Sequence, residues 1–96
     1  HLEELAEILV KGAHELNEAM LRLEKNPGVS NEHAIRCKGS ENLAENVYRK
    51  ALIELFKGKD VVKMLKMREI YMHMSNASDR LDESANILHT IIVKMT

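Results

Sequence analysis

Tryptophan is absent from this chain, proline and cysteine occur once each, glycine four times, and only 3% of the 96 residues are aromatic. Each scarcity closes off a class. A lone Cys37 cannot form an internal disulfide, which fits a reducing compartment rather than a disulfide-stapled secreted domain. One proline and four scattered glycines are too few to punctuate a strand-rich fold, and no two glycines come together in a phosphate-cradling loop. The formal charge of −1 supplies no basic field for nucleic acid. No apolar run approaches the length of a membrane span, and no signal-like segment opens the chain. The chain begins at His1, already in helical pattern, which suggests a piece of something longer.

What is present is aliphatic and charged: 45% hydrophobic and 30% charged residues, the balance of a helical bundle. Leu2, Leu5, Leu9, Gly12, Leu16, Ala19 and Leu23 recur at alternating steps of three and four, with acids and Lys11 around them. That is an amphipathic helix in which Gly12 marks a close helix contact. Asn26-Pro27-Gly28 should end it, and Ser30 or Asn31 is the expected cap of a second helix that Gly58 closes. Asp60 is placed to cap a third. Its stripe runs Met64, Met67, Tyr71, Met74, Ser78, Leu81, Ala85, Leu88, Ile92, Met95, a regular pattern suited to shallow, coiled-coil-like packing.

Helices are therefore expected near 2–25, 31–57 and 60–95. Both connections are short, so neighbours should be antiparallel. The expected fold is all-α: an up-down-up antiparallel three-helix bundle, one unit over residues 1–96 with spectrin-repeat-like packing. Tyr71, Met74, Leu81, Leu88 and Ile92 should be among its most buried positions.

Chemistry, if any, should gather on the second helix. Glu41, Glu45, Tyr48, Leu52 and Leu55 share one stripe, so two acids stand where the same stripe is apolar a turn or two later. Such carboxylates need a cation, a donor or a proton, and being neighbours on one face they also repel. A metal ion would answer this, and so would Lys38, Arg49 or Lys50. Asp79, Asp82 and Glu83, with Asn76 and Asn86, offer a facing oxygen-rich surface of the kind hard or borderline cations use, though a solvated acidic face accounts for the same residues. His73 has Glu69 four residues before it, a surface pair. The Glu-x-x-His motif of di-metal bundles is missing, because Lys11, Ser30, Ile70 and Asn86 precede His14, His33, His73 and His89 by three. The zinc-protease His-Glu-x-x-His is missing too. Cys37 lacks a base or an orienting acid nearby in the sequence and reads as a small buried hydrophobe. Together these features speak against an enzyme.

The stretches IRCKGSENLAENVYRKALIELFKGKD and REIYMHMSNASDRLDESANILHTIIVKMT resemble the C-terminal half of PhoU-like phosphate-transport regulators, in the branch associated with Pit-type transporters. Glu41-Asn42, Tyr48-Arg49, Glu54-Leu55-Phe56, Glu69-Ile70-Tyr71, Asp79-Arg80 and Ala85-Asn86 carry the likeness. The resemblance implies the second of two similar three-helix units. It further implies a non-catalytic, cytoplasmic, oligomeric regulator lying against the inner membrane face of a phosphate transporter. The family's metal motif, Glu-x-x-x-Asp on each of two helices, appears here as Glu41-x-x-x-Glu45 and Ser75-x-x-x-Asp79. The metal residues it implies are thus Glu41, Glu45 and Asp79, for a divalent or trivalent ion such as Fe, Mn, Zn or Mg. Ser75 places a neutral hydroxyl where the pattern expects a carboxylate. The alternative is a helical oligomerisation or scaffold module that has lost the metal site.

Overall fold

A computed structural model describes residues 1–95. They form three helices, α1 (Leu2–Arg22), α2 (Pro27–Leu55) and α3 (Val61–Met95), laid side by side in a rod of 55 × 19 × 15 Å. The three-helix bundle expected from the periodicity is the fold observed.

The helix ends explain where sequence-based boundaries slipped. The second helix begins at Pro27, not Asn31, and Asn26 is its cap: the Val29 N–H donates to Asn26 Oδ1 at 3.3 Å. Proline at the first helical position costs nothing there, because that N–H has no intrahelical partner and the ring pre-sets φ. Pro27 therefore starts α2 as well as stopping α1. Ser30, expected as a cap, lies one turn inside the helix and fully buried. α1 ends at Arg22, with Leu23 N–H turning back to Met20 O at 3.4 Å. Asp60 caps α3 as expected, accepting from Lys63 N–H at 3.1 Å. Gly39 leaves α2 unbroken, and no glycine takes a positive φ.

His1 Nε2 lies 2.6 Å from Glu54 Oε2, so the start of α1 meets the end of α2. α1 and α3 consequently run parallel, with α2 antiparallel to both. The core falls into two clusters along the rod. Leu5, Ala44, Val47, Ala51 and Tyr71 form one. Ala19, Ala34, Cys37, Ala85, Leu88 and Ile92 form the other. Alanines dominate where the helices touch, so backbones approach closely. Between the clusters is a waist at Gly12: a Cβ there would stand 2.5 Å from Ser40 Oγ and 3.3 Å from Leu81 Cδ1. Gly12 is thus the close contact that its position in the stripe suggested.

Tyr71, Leu88 and Ile92 are buried, whereas Met74 and Leu81 are half-buried. Leu81 faces the waist, where Gly12 and Ser40 have too little side chain to cover it. Met74 packs at the edge of its cluster.

Candidate functional site

Along the α2–α3 seam the carboxylates expected to matter act on one another electrostatically, with Glu41 as the group affected. Cys37 and Ala44 bury the adjoining face of α2, and this draws Glu41 partly out of water. Its carboxyl is pushed above the ordinary range first by burial, then by the negative charges of Asp82, Asp79 and Glu45. Glu41, Glu45 and Asp79 therefore share one electrostatic neighbourhood. Asp82 belongs to it as well, and bears on Glu41 more strongly than Asp79 does.

The neighbours are held differently. Glu45 Oε1 pairs with Arg49 Nη2 at 3.2 Å on its own helix. Asp79 is exposed. Asp82 is half-buried, and its Oδ2 accepts from Asn86 Nδ2 at 3.4 Å. Glu41 has no ion-pair partner among the described residues; Lys38, a turn earlier, does not reach it. Of Lys38, Arg49 and Lys50, only Arg49 forms an ion pair with either acid among the described residues. Ser75 stands half-buried in the position where a fourth carboxylate would close the motif.

These donors have the oxygen chemistry that hard cations take. They do not fit a ready-formed metal centre: among the described residues no three His, Cys, Asp or Glu side chains converge as a ligand set. What the α2–α3 seam does provide is Glu41, an acid without an ion-pair partner among the described residues and with its pKa raised by burial and neighbouring negative charge.

The other polar contacts between helices were not legible from local spacing. His33 Nδ1 meets Glu15 Oε2 at 2.5 Å between α2 and α1, and His89 Nδ1 meets Asn31 Oδ1 at 2.7 Å between α3 and α2. Each pairs residues far apart in sequence, so no i,i+4 signal exists for them. His73 and Glu69 form the surface pair expected, at 3.8 Å. Cys37 is fully buried, and its thiol is pushed up by burial and then by Asp82 and Glu15. A thiol so held is a poor nucleophile.

No protein-family model and no solved structure matches the chain. It is similar to UPF0111 protein YkaA of Bacillus subtilis (strain 168): 40% identical over 63 residues, 65% of this chain and 31% of that protein. The chain thus spans about a third of the length of the curated relative it matches. The fold is thus a three-helix bundle with an acidic seam between α2 and α3. Among the described residues no helix is long and apolar enough to cross a membrane.

Proposed function

We propose that this chain is a non-catalytic regulatory module of the PhoU-like kind, of the branch associated with Pit-type transporters. It acts on inorganic phosphate transport by associating with a transporter at the inner membrane face. One observation carries the reading: the two stretches that resemble such regulators fold as facing helices, α2 and α3, with the acids of both around Glu41. The similarity to YkaA supports the relationship without naming the activity. In this reading the module is a cytoplasmic protein peripheral to the membrane, and its effect comes from which packing state it stabilises in its partner rather than from bond-making.

Metal binding at Glu41, Glu45 and Asp79 is a separate, finer proposal, and the scaffold that has lost its metal is the second reading, favoured by Ser75. Calorimetric titration with Mn, Fe or Zn distinguishes them. The metal reading expects strong heats from the parent and weak ones from Glu41→Gln. Equal, weak heats from both leave the scaffold. The regulatory reading itself is tested by phosphate uptake in cells lacking the full-length protein, with and without its restoration. Uptake identical in both, at high and at limiting phosphate, would refute it.

A further inference from the structure

Positive charge and exposed apolar side chains coincide at one end of the rod. Leu55, the last residue of α2, lines a hollow with Gly58, Lys59, Asp60, Lys63 and Met64, so residues 56–66 close that end. This segment holds Lys57, Lys59, Lys63 and Lys66 against a single acid, Asp60. The rest of the chain holds ten Lys and Arg against fourteen Asp and Glu, so tip and body carry opposite signs. None of the four lysines forms an ion pair among the described residues, and the Asp60 carboxylate is engaged as the cap of α3. Among these charges Phe56 is 54% and Val61 64% exposed, and Val62 and Leu65 are exposed as well. Helical spacing puts Val61, Leu65 and Val62 on one outward arc of α3 and Lys66 and Lys63 on the next. A second hollow, of about 420 Å³, joins the two chemistries: Lys63 and Lys66 line it with Asp60, Val62, Met67 and Ile70.

We infer that this tip docks on an anionic lipid bilayer, with the rod standing end-on. Lysines reach lipid phosphates from the water side while their stems and the neighbouring Phe, Val and Leu enter the headgroup boundary. The hollow beside Lys63 and Lys66 offers a headgroup phosphate two cations and its glycerol end an apolar wall. The end of a rod 19 × 15 Å across its Cα atoms is small for the ~800 Å² per partner of a specific protein interface. A bilayer sets no such minimum, because each basic residue near its surface adds to the attraction separately.

The acids nearest the tip set the orientation. Glu54 pairs with His1, and Glu3 and Glu4 follow at the start of α1. On α3 the next charges, Arg68 and Glu69, offset each other. Leu5 and Tyr71 share a core cluster, which sets His1 about level with Met67. Residues 61–66 therefore project about 9 Å beyond these acids, at about 1.5 Å per residue, close to the Debye length at physiological salt. The bilayer attracts the lysines while the acids behind them are largely screened, and the negative body resists lying flat. This lipid contact is additional to the transporter contact proposed above and does not rest on it.

Co-sedimentation of this chain with vesicles tests it. Vesicles of phosphatidylcholine with about one third phosphatidylglycerol should bind the parent, less tightly as salt rises, and vesicles of phosphatidylcholine alone should not. Each charge held at the surface multiplies affinity about five-fold, so Lys59→Glu with Lys63→Glu should lower it more than about a hundred-fold. Position 63 lies in the first turn of α3, where a negative charge favours the helix, so the fold is kept. Phe56→Ser should weaken binding several-fold and leave its salt dependence unchanged. Lys25→Glu with Lys94→Glu changes the net charge equally at the opposite end and should bind within about two-fold of the parent. A parent that ignores the anionic vesicles, as it would if the tip served an acidic protein surface, would overturn the proposal. So would equal losses from the two double variants, or a Lys59→Glu, Lys63→Glu chain that binds undiminished.

Discussion

Replacing Ser30 with alanine should cost more stability than its small change of shape suggests. The Ser30 hydroxyl donates to the Ala19 carbonyl oxygen at 2.6 Å, and both residues are fully buried. That carbonyl belongs to the last turn of α1, where the Leu23 N–H bonds Met20 O instead. The hydroxyl of one helix thus satisfies an acceptor that the end of another leaves open. Removing it strands a buried carbonyl where water cannot follow, at about 1–3 kcal/mol, offset by a few tenths because alanine is the better helix former. The net loss of about 1–2 kcal/mol should lower the melting midpoint by roughly 4–16 °C for a chain of this size. Urea and thermal melts followed by far-UV circular dichroism measure it. Ser40→Ala is the matched control: its hydroxyl donates to Cys37 O within its own helix, at 2.6 Å, and its loss should stay within about 0.5 kcal/mol. If the Ser30→Ala and parent curves coincide, the inter-helix bond contributes nothing and the reasoning fails.

Gly12→Ala should destabilise despite alanine's helix propensity, because its Cβ meets Ser40 Oγ at 2.5 Å. Adding Ser40→Ala should recover part of the loss, with a coupling of about 0.5–3 kcal/mol in a double-mutant cycle; additive costs would show that the helices can part freely. Glu41→Gln should stabilise the bundle near neutral pH and flatten its pH dependence. The folded-state pKa of Glu41 is raised, so the folded protein holds its proton longer than the unfolded chain. Stability from this group is therefore present at low pH and lost as pH climbs above the ordinary carboxylate value, the reverse of a salt-bridged acid. Melts from acid to neutral pH check the sign. Cys37 should resist alkylation in the folded protein and react readily in urea, its thiol being buried and its pKa raised; rapid native labelling would mean that the core opens there.

Helix number, direction and the Gly12 contact were readable because each rests on periodicity or on short connections. The start of α2 was not, because Asn26-Pro27 serves two helices at once. Proline is then as consistent with a beginning as with an end, and only the donation from Val29 N–H to Asn26 decides it. At the seam, Glu41, Glu45 and Asp79 could be brought near one another from the helical spacing and the family resemblance. That Asp82 weighs more on Glu41 than Asp79 does was not visible, because it depends on how α3 is rotated against α2. Arg49 claiming Glu45 follows the i,i+4 rule and was open to view. His33–Glu15 and His89–Asn31 lie beyond any such rule, because cross-helix partners are chosen by packing.

The division of the core at the waist bears on how the protein breathes. The cluster of Ala19, Ala34, Cys37, Ala85, Leu88 and Ile92 has three half-buried hydrophobics at its edge, Leu16, Leu23 and Leu81. The cluster around Leu5 and Tyr71 has six: Ile8, Tyr48, Leu52, Leu55, Met67 and Met74. The second cluster has more members in partial contact with solvent, so water reaches its edge through a smaller opening. Amide hydrogens near Leu5, Ala51 and Tyr71 should then exchange with solvent through partial openings, while those near Ala34 and Ala85 wait for rarer, more complete ones. Along one rod, the two ends would keep different clocks.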